Sequence, residues 1–136
     1  MSTLHIALPG GLSVARTQAK TAIDAAAGEA RQRHITIAPG QAETYMAKAA
    51  QAEAYLAAGS PPDMTGWAWI QADADAFGIS VTTAATSILA NRDAWTQLGA
   101  HIEEVRLKAK REVDAATSPM ECARILKAAK AELVAV

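Results

Sequence analysis

The sequence predicts an all-α fold, a small bundle of four to five helices built on one long helix at about residues 81–117. Apolar residues recur three and four positions apart through most of the chain, and the alternating runs typical of strands are nearly absent. The chain is 51% hydrophobic but only 4% aromatic, and alanine supplies much of the apolar share. Because alanine favours helices and is small, this composition favours helices that approach each other closely.

The long helix is predicted from a heptad pattern between Val81 and Thr117. The apolar positions are Ile88, Trp95, Ile102 and Ala109, with Leu98 and Val105 between them. Such a seam is typical of a helix that packs along its length against other helices, so Trp95 is predicted to lie in the core. The helix would be about 55 Å long. Shorter helices cannot cover all of it, and we expect the uncovered seam to mediate self-association or attachment to a larger protein.

Three shorter helices are predicted before the long one. The first begins with Ser13 as its N-cap and ends before Pro39-Gly40; the second covers residues 41–58, and the third 65–77. The predicted apolar faces are Leu12, Ala15, Ala19, Ala22/Ile23, Ala26 and Ala30 in the first helix, and Tyr45, Met46, Ala49, Ala52 and Leu56 in the second. At 136 residues the chain has the length of one domain. We therefore expect a helical domain over residues 13–136 and an extended N-terminal arm over residues 1–12.

Local signals mark the ends of the later helices. Gly78 can end the third helix in a left-handed conformation, and Ser80 or Thr82 can then begin the long one. The run Ser118-Pro119-Met120-Glu121 is a capping box with proline at the first helical position, so the last helix begins there. Its apolar face is predicted to consist of Cys122, Ile125/Leu126, Ala129 and Leu133.

Composition and motifs argue against an enzyme. Cys122 is the single cysteine, and the three histidines lie in separate segments without the spacing of a helical metal site. No nucleophile, phosphate-binding or dinucleotide motif occurs, so we predict no catalytic, metal or cofactor residues. The net charge of −1 disfavours nucleic acid as a partner. No apolar run approaches 18 residues and no signal peptide pattern is present, so we expect an intracellular protein without a membrane partner.

Two groups of apolar residues are candidate partner contacts. Leu4, Ile6 and Leu8 alternate in the arm, which either docks on a partner or frays as chain termini commonly do. Trp67 and Trp69 are two positions apart and cannot share one helix face, so one should be buried and the other partly exposed. An exposed tryptophan can anchor a partner, although both rings can also line the edge of a core that has few aromatic residues.

Two sets of residues form a distinctive pattern: Arg31, Arg33, His34, Ile35, Thr36, Pro39, Gly40, Gln41, Tyr45, Lys48, Ala52 and Tyr55, followed by Trp95, Ile102, Glu103, Arg106, Ala115 and Ala116. With this pattern the chain resembles a small alanine-rich helical domain of unassigned activity that is found in bacteriophage tail and tail-fibre-associated proteins. The resemblance extends from about Ala15 to Leu133 and implies no catalytic residue. In longer members the domain follows other domains, whereas here it is nearly the whole sequence.

The resemblance implies a role in a virion or in its assembly. The leading hypothesis is a structural or adaptor protein that attaches or organises a tail fibre or tail tip. Its partners would be other tail or fibre proteins and copies of itself, in the host cytoplasm during assembly and then in the virion tail. One alternative is a tail-fibre assembly chaperone that is not retained in the virion. A nucleic-acid-binding regulator is a third hypothesis, which the near-neutral charge disfavours.

Overall fold

A computed structural model describes residues 10–35 and 40–136 of the chain, and all regular secondary structure within those residues is α-helical. The five helices of this described part are α1 (Gly11–Gln32), α2 (Gln41–Ala57), α3 (Ala68–Phe77), α4 (Val81–Ala115) and α5 (Pro119–Val134). The predicted all-α fold built on one long helix is therefore confirmed. The first nine residues of the predicted arm lie outside the described residues, and the rest of it belongs to the start of α1.

The helices form two compact units, a division that the sequence analysis did not predict. Unit 1 contains α1, the part of α4 from Leu98 onward, and α5. Unit 2 contains α2, α3 and the part of α4 up to Gln97. Helix α4 thus contributes apolar side chains to two cores, and no other described helix does so.

The core of unit 1 is built mainly from small side chains. Its buried members are Ala19, Ile23, Ala27 and Ala30 of α1, Ile102, Val105, Ala109 and Val113 of α4, Ala116 of the following turn, and Cys122, Ala129 and Leu133 of α5. The face predicted for α1 is confirmed at Ala19, Ile23 and Ala30, because a 3.6-residue period identifies it from local spacing alone. Cys122 is a buried thiol, as its helical setting predicted.

The buried face of α4 departs from the strict heptad. Val105 and Ala109 follow the repeat, but the next buried residue is Val113, while Glu112 is exposed. A straight α-helix drifts about 20° per heptad, so a seven-residue repeat leaves the buried face within a few turns. Trp95 lies one heptad before the buried Ile102 and therefore on nearly the same face, so drift does not explain its exposure. It is only partly buried and belongs to neither described core, and its predicted core position is wrong. The part of the seam from Ile102 to Val113 is buried in unit 1, whereas Trp95 and Leu98 are only partly buried. The expected partner contact along the uncovered part stays a prediction.

The core of unit 2 contains Ala52, Tyr55, Ile70 and Ala85, with Leu56, Met64, Trp67, Val81, Ile88 and Leu89 partly buried around it. The Tyr55 ring meets that of Trp67 edge to face at a centroid distance of 5.3 Å, and its hydroxyl donates to the Pro61 carbonyl over 3.0 Å. The predicted α2 face is wrong at Tyr45 and Met46, which are exposed, and it omitted Tyr55. Nothing in local spacing shows how far along α2 the neighbouring helices extend.

Helix termini agree with the sequence where the cap is a local hydrogen bond. The Ser118 hydroxyl accepts from the Glu121 N–H over 3.1 Å, and the Ser80 hydroxyl accepts from Thr83 over 3.0 Å. The Glu121 carboxylate accepts from the Thr117 N–H and hydroxyl, one residue before the position that a capping box predicts.

Two predicted helix starts are wrong. Helix α1 begins after Gly10, whose left-handed φ of 73° suits glycine, so the predicted cap Ser13 lies inside the first turn. Helix α3 begins at Ala68 and not at residue 65, because the Asp63 carboxylate accepts from the N–H and hydroxyl of Thr65 and forms a turn there. Gly78 ends α3 with a φ of 66°, as predicted.

Replacing Ser118 by alanine should lower the free energy of unfolding by about 1 kcal/mol, because the Glu121 N–H loses its acceptor. The matched control is Ser13→Ala, which replaces a helical serine whose hydroxyl makes no described capping bond and should change stability little. Urea denaturation followed by circular dichroism measures both. Equal losses in the two variants would show that the Ser118 cap does not contribute.

Replacing Ile102 by alanine should cost roughly 2–5 kcal/mol, because it opens a cavity in a fully buried part of unit 1. Trp95→Ala removes a larger side chain but should cost less, since Trp95 lies in neither described core. Comparison of the unfolding free energies of the two variants tests whether Ile102 lies in the core and Trp95 outside it. A greater loss at Trp95 would contradict it.

Candidate interaction surface

Ion pairs join α1 to α4 along the side of unit 1. Lys20 pairs with Asp114 at 2.7 Å, and Asp24 pairs with Lys110 at 3.0 Å. Arg31 pairs with Glu103 at 2.9 Å. Residue numbers rise along α1 as they fall along α4, so the two helices are antiparallel.

Arg106 lies at the centre of this network. One of its terminal nitrogens is 2.9 Å from Asp24, and the other is 2.8 Å from Glu103. Hydrogen bonds from Arg106 are the largest cause that lowers the pKa of Asp24 and of Glu103, and Lys110 lowers the pKa of Asp24 further. A hydrogen bond from Lys20 similarly lowers the pKa of Asp114. The shifted carboxyl groups of this surface therefore have partners that account for them, and their role is to hold two helices together.

Two further basic side chains of unit 1 reach the ends of helices. Arg16 donates to the Ala116 carbonyl over 2.6 Å, and Arg33 donates to the carbonyl of Leu133. Positive charge is favourable at the carboxyl ends of helices, where carbonyl groups lack partners within the helix. Arg33 therefore stabilises the end of α5.

Helices α2 and α3 of unit 2 are also antiparallel. Lys48 pairs with Asp73 at 2.7 Å, and the Gln51 side-chain oxygen accepts from the Trp69 N–H over 2.9 Å. Later residues of α2 thus meet earlier residues of α3. The same register brings the first turns of α2, which contain Tyr45, alongside the last turn of α3, which contains Phe77.

Unit 2 exposes large apolar side chains at this end. Phe77 is 72% exposed although it continues the buried stripe of Ile70 and Ala74 at spacings of four and three. Met46 is 74% exposed, Tyr45 42% and Ile79 37%. We call Tyr45, Met46, Phe77 and Ile79 the apolar end of unit 2. Tyr45, Met46 and Phe77 continue the apolar faces of their helices past the point where neighbouring helices cover them, and Ile79 follows directly after the end of α3.

The predicted partner-contact residues fall in three different situations. Leu4, Ile6 and Leu8 lie outside the described residues. Trp67 is half-buried against Tyr55, whereas Trp69 is 41% exposed at the amino end of α3, opposite the end that contains Phe77. The tryptophans are separated as their spacing predicts. Phe77 was not among the predicted contact residues, although its stripe with Ile70 and Ala74 is visible in the sequence.

Three comparisons were made with known proteins, and none found a match: no family model, no curated protein and no solved structure matches the chain. Within the described parts of the chain, no three histidine, cysteine, aspartate or glutamate side chains group in a way that could hold a metal ion. In those same parts, no helix combines the length and the apolar character needed to cross a membrane.

The ionic network predicts acid sensitivity of unit 1. The pKa of Asp24 is lower in the folded state than its ordinary value of 3.8. The stabilisation of the folded state by its carboxylate is therefore fully present above pH 3.8 and is lost as pH falls through the folded pKa. The Asp24→Asn variant should therefore be less stable than the parent chain near neutral pH, and the difference should shrink below pH 3.8. Unfolding free energies at a series of pH values test this. High salt should reduce the difference, since these charges are partly exposed to solvent. A difference that does not change with pH would contradict the pairing.

Proposed function

We propose that the chain is a structural or adaptor protein of a bacteriophage tail, and that it attaches or organises a tail fibre or tail tip. The observation that carries the proposal is the exposure of Tyr45. This residue belongs both to the run that resembles the phage tail domain and to the apolar end of unit 2.

Most residues of the resembling run have a role within the fold. Arg31, Glu103 and Arg106 hold α1 against α4, and Lys48 holds α2 against α3. Tyr55 is buried in the core of unit 2. Tyr45 differs from these residues, because it is 42% exposed in the turns of α2 that the helix register places level with Phe77.

The chemistry of the apolar end favours a protein partner. Tyrosine, methionine and phenylalanine are the residue types enriched at the centres of protein interfaces. Full burial of a side chain such as Phe77 contributes roughly 1.5–3 kcal/mol, which is enough to make it an anchor. We expect the partner to be an apolar segment of a tail or fibre protein that covers this end.

The proposed role needs no catalysis. Among the described residues, the carboxyl groups of α1 and α4 with lowered pKa values are engaged with arginine or lysine on a neighbouring helix. Such perturbed groups would suggest an active site if they converged in a cleft. Here they are distributed along the seam between two helices, which supports a role in the fold.

The first test is mass spectrometry of purified mature particles from the phage that encodes the chain. We expect the protein to be present at a fixed low ratio to the major tail protein. Its absence from particles, together with abundance in infected-cell lysate, would contradict the structural role and favour the assembly chaperone.

The second test is Phe77→Asp, supplied in place of the parent chain during infection. We expect at least a tenfold loss of the protein from particles, because docking would bury an unpaired carboxylate. The control is Leu107→Asp, a change at another exposed apolar residue, which lies in unit 1 and should leave incorporation unchanged. Equal incorporation of the two variants would exclude the apolar end as the attachment surface.

A further inference from the structure

A shallow groove of about 210 Å³ lies between α4 and α5 of unit 1. Its floor consists of Val105 and Ala109 of α4 and of Ile125 and Ala129 of α5. This groove lies away from the side of α4 that pairs with α1, because the α4 residues bonded to α1 do not line it. It is a second surface, separate from the apolar end of unit 2.

Charged residues form both walls of the groove. The α4 wall carries Glu104, Lys108 and Glu112, spaced four apart, and the α5 wall carries Arg124 and Glu132. Among the described residues, these side chains form no close ion pair; the nearest is Arg124 with Glu121 at 3.9 Å. The charges of α4 that face α1 are, in contrast, paired at 2.7–3.0 Å.

The charges are arranged with a polarity along the groove. Helices α4 and α5 are joined by the turn at Ala116–Ser118. We define the height of a residue as its distance along the helix from this turn, counted from Ala116 for α4 and from Ser118 for α5. At 1.5 Å per residue, Arg124 and Lys108 lie at about 9 and 12 Å. Glu104 and Glu132 lie at about 18 and 21 Å. Glu112 lies nearest the turn, at about 6 Å. The part of the groove near the turn therefore carries two basic residues and one acidic residue, whereas the part farther from the turn carries Glu104 and Glu132 alone.

The heights of four of these five charged residues are self-complementary; Glu112 is the one without a charged residue of the groove at its reflected height. Consider a two-fold axis that lies in the plane of the groove face and runs perpendicular to the helices at the height of Ala128, about 15 Å from the turn. It places each residue of one copy at a height in the other copy that is equally far from Ala128 on the opposite side. It brings Arg124 of one copy to the height of Glu132 of the other, and Lys108 to that of Glu104. A parallel arrangement would instead place the acidic parts against each other.

We propose that the groove face of unit 1 binds a second copy of this chain, with α4 against α4 and α5 against α5, both antiparallel. Each of the two charge pairings occurs twice across the axis. The surface differs from the uncovered seam that the length of the long helix predicted. The proposal does not depend on the phage role.

Sedimentation equilibrium of the whole chain at low salt tests the proposal. We expect a monomer–dimer equilibrium that weakens as salt is added, because the pairs lie at an exposed rim. Arg124→Glu and Glu132→Arg should each weaken the dimer by about tenfold or more, since each change acts twice. The double variant should restore dimerisation, because the exchanged charges again face each other.

Two further variants keep the test decisive. Lys127→Glu is the matched control, since it reverses a charge on an exposed residue of α5 that does not line the groove. It should leave the dimer unchanged. Ala128→Trp places a large side chain at the proposed axis on an exposed position, so it should abolish the dimer while the circular dichroism spectrum is retained.

Three outcomes would overturn the proposal. The first is a chain that stays monomeric at high concentration and low salt. The second is a dimer that Ala128→Trp leaves intact. The third is a double variant Arg124→Glu/Glu132→Arg that associates no better than either single variant, because this would show that the two residues do not face each other across an axis.

Discussion

The close approach of α1 to α4 and α5 is the constraint on which unit 1 depends, and alanine makes it possible. Ala19, Ala27, Ala30, Ala109 and Ala129 are buried where the three helices meet. Each buries little apolar area, so the core gains stability from the contact of whole helix faces. Small side chains interlock little between helices, so a core of this kind does not by itself fix the register of the helices.

The ion pairs beside that core fix the register of α1 against α4. Lys20 with Asp114, Asp24 with Lys110 and Arg31 with Glu103 can form together only when the helices are antiparallel in one register. Exposed pairs contribute at most about 1 kcal/mol each, so their main effect is to disfavour other registers. The charges of α4 that face α1 have partners within the fold, whereas the charges of the groove form no close ion pair within the described residues. The proposed second copy would supply partners for Arg124, Glu132, Lys108 and Glu104.

Unit 2 is held together differently. Its core depends on a few large residues, above all Tyr55 and Ile70, with Trp67 packed at the edge. Such a core covers only the part of each helix that these side chains reach. Phe77 and Tyr45 continue the apolar faces past that part, and for this reason the unit exposes an apolar surface. The two units thus offer surfaces of different chemistry, one apolar and one charged, and we have proposed a different occupant for each.

The sequence by itself determined the helical fold and the features that depend on neighbours along the chain. The cap at Ser118, the left-handed end at Gly78 and the buried face around Ala19, Ile23 and Ala30 each require only a local hydrogen bond or a 3.6-residue period. The exposure of Trp69 was also readable, since its spacing from Trp67 separates their faces. Only the tertiary structure decided how far along each helix the neighbouring helices cover its apolar face. Trp95 and Tyr45 have the spacing of core residues, yet no described core encloses them, because burial depends on how far helices distant in sequence extend.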